Sequence, residues 1–397
     1  MTTPSSLYRN AIDLNRFGNS VSRRIVSAYN DIIVDAVNQL RTIDELSAPV
    51  KAARLRAILA QLKESLGTWS NASVAVMSNE LQGLALLQSE FVTEQLRKAL
   101  PAGARNIVNT VEISPQFAQS VVTTDPTQLN VVTLSDDLFA AVQGAPQTYS
   151  LTAAKGATIT LPNGEVVTKA FAGIVESQTE LFSQVVRNGL LTGEPTAEIA
   201  KRLTGRLQLN QAGSVRQIAD AGGQVTKAAN HQVMTLVRTS INQVANAASQ
   251  QVYEANQDIT NKYKYVATLD LRTSAICRAL DGKEFVYGKG PTPPQHFNCR
   301  STTVPVIDYK ALGFDPPPPG RRASMDGQVP ADLTYGQWLA KQPVAVQAEV
   351  LGKERVRYFE LLSKKYGPQT AIAKLVRDDG SELTLQQLQK RYGAANP

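Results

Sequence analysis

At 397 residues the chain exceeds one typical domain, and two or three structural units are expected. A hydrophobic content of 43% supports a full core, while no apolar run approaches bilayer-spanning length, which excludes a helical membrane protein. The formal charge of +7 suits a polyanionic neighbour, but the basic residues are scattered as pairs such as Lys201-Arg202, Arg321-Arg322 and Lys364-Lys365. Contact with DNA would then run to phosphate without base reading, and a solvated basic surface is the plain alternative.

The opening stretch MTTPSSLYRNAIDL lacks a charged-then-apolar signal pattern, so synthesis in a reducing cytosol is expected. That argues against a disulfide between the two cysteines. Residues 1–104 read as a helical N-terminal domain. Val21, Ile25, Tyr29, Ile32, Ala36 and Leu40 recur every three or four positions and form one apolar face. Ser47 with Pro49 marks a second helix, whose stripe of Leu55, Ile58, Leu59, Leu62 and Leu66 is expected to stop at Gly67. A third helix carries Met77, Leu81, Leu84, Leu87 and Phe91 and ends before Pro101.

Residues 105–170 read as a β-rich insertion with β-branched runs at 107–111 and 131–134. Its clearest element is a hairpin, with Asn163-Gly164 turning between residues 157–162 and 165–168. Residues 171–310 form the expected core domain. Helices through Phe171, Ile174, Val175, Phe182, Val185 and Val186 and through 197–203, closed by Gly205, lead to a long helix over about 226–256. That helix buries Val233, Val237, Ile241, Val244, Ala248 and Val252, with Arg238 on its flank and His231 at its start. Strands are expected over 262–269 and 301–307. A Pro-rich linker at 311–329, built on Pro316 to Pro319, precedes a helical tail at 330–397. Trp338 is expected to pack this tail on the body, and Thr384-x-x-Gln387 is a capping box for a last helix ending at Gly393. The fold class is therefore α+β and predominantly helical: a helical N-terminal arm, a small β-containing Cys/His core packed on a long helix, and a helical C-terminal tail.

The rarer side chains concentrate in residues 265–306, which hold Cys277, Cys299 and His296. Three arrangements are open. Thiolate sulfur and imidazole nitrogen are preferred zinc ligands, so Cys277, His296 and Cys299 would supply three, with Asp270, Asp281, His231 or water as the fourth. A Cys277–Cys299 disulfide would close a short loop. Alternatively, two buried thiols and a hydrogen-bonded histidine simply pack.

The order Asp270-Leu271-Arg272-Thr273, then Cys277, then Leu280-Asp281-Gly282-Lys283, then Pro294-Gln295-His296-Phe297-Asn298-Cys299-Arg300 resembles the signature of phage minor head proteins, the head-morphogenesis family typified by protein F of phage Mu. Leu236-Val237-Arg238-Thr239 resembles the same family's R-T-E helix, with Ser240 where glutamate is usual. The resemblance marks Arg238, Thr239, Asp270, Arg272, Thr273, Gly282 and Arg300 as motif residues. It implies a structural virion protein inside the capsid near the portal, acting in head assembly, DNA packaging or genome ejection. The implied partners are the portal protein, the major capsid protein and packaged double-stranded DNA, and the implied location is the capsid interior after assembly in the host cytoplasm. No membrane role is implied.

Catalysis finds few parts. There are two histidines and no G-x-S-x-G, H-E-x-x-H or phosphate-binding glycine loop. The alternative class is a zinc-dependent hydrolase or phage-borne effector using Cys277, His296 and Cys299, with Asp270 or Asp281 as base.

Overall fold

The structure is a computed structural model that describes residues 3–113, 115–123, 148–151, 159–318 and 320–394. Two long helices open it. Helix α1 (Thr3–Leu40) buries Val21, Ile25, Tyr29, Ile33, Val37 and Leu40 along one face. Helix α2 (Ala48–Ala99) is one continuous element of 52 residues, with Pro49 in its first turn. The expected break at Gly67 is absent. A glycine inside a helix costs only about 1 kcal/mol, whereas Leu62, Leu66, Trp69, Ser73 and Met77 are all buried around it, so packing carries the helix through. Trp69 ties three helices together. Its ring meets Tyr29 edge-on at 5.4 Å and Phe171 at 5.5 Å, and its Nε1–H donates to the Ile25 carbonyl at 3.0 Å.

After a 3-10 turn (Ala102–Ile107) come strand β1 (Thr110–Ile113), helix α3 (Pro115–Val122) and strand β2 (Thr148–Leu151), which pairs parallel with β1. The run at 131–134 lies outside the described residues. The turn at Asn163-Gly164 forms, closed by Gly164 N–H on the Leu161 carbonyl at 2.8 Å. No hairpin follows it, because helix α4 (Val167–Leu191) begins where the second strand was expected. Val167, Phe171 and Ile174 have helical spacing and are buried together, so a 3.6-residue period overrides the short alternation.

Helix α5 (Thr196–Thr204) stops at Gly205, whose φ of 89° and close approach to the Asp220 carbonyl admit only glycine. Strands β3 (Arg206–Leu209) and β4 (Val215–Asp220) pair antiparallel and lead into helix α6 (Gln224–Glu254). All six apolar residues expected on its inner face are buried, packed against α1, α2 and α4. Strand β5 (Lys262–Val266), helix α7 (Ala275–Leu280), strand β6 (Glu284–Val286) and strand β7 (Thr302–Val306) follow. They form an antiparallel sheet in the order β6-β5-β7, and α6 docks on it through Asn242 to the Ser301 carbonyl and Gln250 to Thr303.

Within the stretch read as a linker, β8 (Arg321–Ser324) and β9 (Gly327–Pro330) form a hairpin around a two-residue turn at Met325-Asp326, and Gly327, with φ of 108°, opens β9. The pairing residues begin after the prolines, whose missing N–H groups would interrupt a ladder. The tail holds α8 (Tyr335–Ala340), α9 (Val344–Leu351), α10 (Lys353–Tyr366), α11 (Pro368–Lys374) and α12 (Leu385–Tyr392). Capping boxes start α8 at Thr334 and α12 at Thr384. One apolar core runs from Leu7 to Val304, and a second gathers Trp338 and the tail around Leu269. The described fold is predominantly helical α+β with small sheets. None of its described helices is long and apolar enough to cross a membrane.

Candidate metal centre

Strands β5 and β7 are neighbours, and Val266 pairs with Thr302. The chain therefore leaves the sheet and returns to it at the same end, so the 267–301 excursion starts and finishes side by side. Ser274 caps α7, accepting the Cys277 N–H in the helix's first turn at 3.5 Å. On the return, His296 and Cys299 share a tight turn in which Cys299 N–H donates to the His296 carbonyl at 3.2 Å. The two sulfurs come to 3.7 Å, and His296 Nε2 lies 3.4 Å from Cys277 Sγ. All three donor atoms lie within 4.8 Å of one another, with both cysteines buried and His296 half-buried. The thiols are free, too far apart for a disulfide bond of about 2.05 Å.

Hydrogen bonding orients the imidazole. His296 Nδ1 faces the Phe297 carbonyl at 2.8 Å, and a carbonyl only accepts, so Nδ1 carries the proton. The Nε2 lone pair then points at Cys277, and the Ser274 hydroxyl donates to it from 2.7 Å. The contact with Cys277 raises the basicity of this ring against the opposing pull of burial. The two thiols share their protons unequally. Hydrogen bonding between them, more than burial, pushes the Cys277 thiol up, and the same bond draws Cys299 down against burial. The Tyr265 hydroxyl adds a fourth polar atom, 3.2 Å from Cys277 Sγ, and burial holds it protonated far above the ordinary phenol range. An assembly of two thiols, one oriented imidazole lone pair and a backbone carbonyl behind the ring is a soft-donor set able to hold a metal ion.

The motif residues surround this cluster. Thr239 accepts the Asn298 N–H at 2.9 Å, and Thr235 accepts the Asn298 side chain at 2.8 Å, so α6 grips the His-to-Cys turn where Asn298 has a φ of 59°. Asp270 takes Arg300 in a bidentate pair and also accepts the Arg272 N–H and the Thr273 hydroxyl, each at 3.0 Å. Burial alone would raise the Asp270 carboxyl, but the Arg300 hydrogen bonds and charge, with Thr273, hold it below the ordinary range. Gly282, with φ of 79°, donates to the Tyr265 carbonyl at 2.8 Å, and a Cβ there would press on Thr334 at 2.9 Å. Ser240 is buried and donates to the Leu236 carbonyl.

Arg238, on the flank of α6, donates from Nε to the Asn19 side chain of α1 at 2.8 Å. Asp270 and Asp281 are committed to Arg300 and Arg322, and His231 is exposed on α6, so none of them supplies a fourth ligand or a free base. Among the described residues, the cluster has three protein donors. Ser274, Tyr265 and Arg322 escaped sequence reading. Ser274 stood in plain N-cap position, three residues before Cys277. Arg322 gives no local signal, because its partner Asp281 lies 41 positions away.

In comparison with known proteins, residues 180–304 match a protein-family model described as Phage Mu protein F like protein. No curated protein and no solved structure matches the chain.

Proposed function

We propose, on the premise that residues 180–304 belong to the phage Mu protein F-like family, that this chain is a structural minor head protein of a tailed bacteriophage. In this reading it lies inside the capsid near the portal and acts in head assembly, DNA packaging or genome ejection. The observation that carries it is the family match, which spans α6, β5, β6, the first half of β7 and the whole Cys/His excursion. The geometry supports an architectural role for the motif residues: Thr239, Asp270, Thr273, Gly282 and Arg300 are spent on holding the His-to-Cys turn, the loop before α7 and the end of β5. The two carboxylates that a hydrolytic reading needs as base are both in ion pairs.

The Cys277, His296 and Cys299 cluster is proposed to hold structural zinc. A tetrahedral centre with Zn–S of about 2.3 Å and Zn–N of about 2.0 Å has edges of about 3.8 Å between sulfurs and about 3.5 Å between sulfur and nitrogen. The separations of 3.7 and 3.4 Å fit those edges. Zinc there would cross-link α7 to the approach of β7, and its chemistry would be that of a staple. Partners in this reading are the portal or major capsid protein, met by the helical arm or tail, and packaged double-stranded DNA met through phosphate.

Fractionation of phage particles tests the head assignment. The chain is expected to travel with DNA-filled heads and to be protected from protease until they are opened. Its recovery only as free protein, absent from purified particles, would overturn the reading.

A further inference from the structure

A pocket of about 370 Å³ opens between α1 and the core domain, beside the Cys299 end of the metal cluster. That volume lies in the range of small-ligand sites. Its lining is unusual in charge: five arginines, at 16, 238, 272, 300 and 322, and no aspartate or glutamate. Three of these have carboxylate partners outside the pocket wall, namely Asp13, Asp270 and Asp281. Arg238 and Arg272 have none among the described residues. Arg238 is half-buried, with its Nε on the neutral amide of Asn19. Arg272 is exposed, its backbone N–H alone bound to Asp270.

Two uncompensated guanidinium groups facing one cavity repel each other, and the half-buried Arg238 also gives up hydration, so an anion that joins them is favoured. Burial, and after it the nearby charges of Arg272 and Arg300, lowers the proton affinity of Arg238. Neutral hydrogen-bonding groups complete the wall, Asn15, Asn19, Asn242 and Thr268 among them. Asn298 also lines it, and its Oδ1 is buried with no partner while Nδ2 meets Thr235. The Thr235 hydroxyl can donate or accept, so turning this amide over would leave an N–H group free for a ligand oxygen.

We propose that this pocket binds a phosphate oxyanion through Arg238 and Arg272. A single carboxylate would neutralise one of the two free cations, whereas a phosphate group carries the charge and the oxygens for both. The phosphate comes either from a small phosphate-bearing molecule or from a DNA backbone entering at the exposed Arg272 and Arg16 rim. The inference does not depend on the head-protein reading, since it rests on the charge and shape of the pocket alone.

Calorimetric titration of the full chain with pyrophosphate, at constant ionic strength set by sodium chloride, tests it. A short DNA duplex serves as the second ligand and as competitor. Wild type is expected to bind pyrophosphate, and Arg272→Gln, on an exposed site that leaves the fold intact, to weaken binding on the order of tenfold or more. Arg238→Gln should do the same where circular dichroism shows it folded, and the distant Arg357→Gln should not. Displacement of pyrophosphate by the duplex supports the site with DNA as the source; binding of pyrophosphate alone supports it with a small molecule as the source. Failure of wild type to bind either ligand, or binding indifferent to Arg272→Gln, overturns the proposal.

Discussion

Asp281 and Arg322 form a buried ion pair that joins the end of α7 to β8, with 0% and 4% of their side chains exposed. The carboxylate accepts two guanidinium N–H groups at 3.0 and 3.2 Å, the Ala267 N–H at 2.7 Å and the Tyr335 N–H at 2.6 Å. Arg322 spends further N–H groups on the Leu333 and Ala267 carbonyls. The core sheet, the hairpin and the first tail helix therefore meet on one charge pair. Removing one partner strands the other in a dry site. Arg322→Met is expected to cost about 3–5 kcal/mol, read from urea unfolding, with a loss below about 1 kcal/mol counting against this account.

Metal content gives the second prediction. Protein purified under reducing conditions without chelator should carry about one zinc per chain by elemental analysis. Cys299→Ser and His296→Ala should lose the metal and melt at lower temperature, and a strong chelator should destabilise wild type but leave those variants unmoved. Metal-free wild type that melts as the metal-loaded sample does would leave the cluster as packed thiols.

Acid should expose the Asp270–Arg300 pair. Its folded-state carboxyl is held below the ordinary range, so the folded chain takes up this proton at lower pH than the unfolded chain, where aspartate titrates near about 3.9. The stabilisation is complete above that value and is lost as pH falls through the folded-state value. Asp270→Asn, which keeps the side-chain shape, should cost about 1–3 kcal/mol at neutral pH and flatten the acid limb of the stability profile. Parallel profiles for variant and wild type between about pH 5 and about pH 3 would contradict the assignment.

The tail offers a packing test. A Cβ on Gly336 would lie 2.4 Å from the Pro368 carbonyl oxygen and 2.6 Å from the Gln369 Cα, both backbone atoms that a rotamer change cannot move. Gly336→Ala should therefore separate α8 from α11 and cost about 1–3 kcal/mol, seen as a lower melting temperature and faster proteolysis of the tail. Gly83→Ala, where nothing lies within 4 Å of the added carbon, is the matched control and should be neutral or slightly stabilising.

The sequence by itself determined the elements whose signal is local. The buried face of α6, the stop of α5 at Gly205, the strands that bracket the Cys/His excursion and the Thr384 cap all follow from period, glycine and capping chemistry within a few residues. Convergence of Cys277, His296 and Cys299 was legible as well, because two strands pairing at one sheet end force the ends of the loop together. Only the tertiary structure decided the rest. Gly67 stays helical and Val167 turns helical because Trp69 and Phe171 bury against each other from distant segments. Asp270 and Asp281 are ion-pair anchors, with no place among the ligands, because Arg300 and Arg322 arrive 30 and 41 positions later. Charge partners and cavity walls are set by long-range packing, which leaves no periodic trace in the chain, so the arginine-lined pocket under α1 could be seen only once α1 was folded against the core.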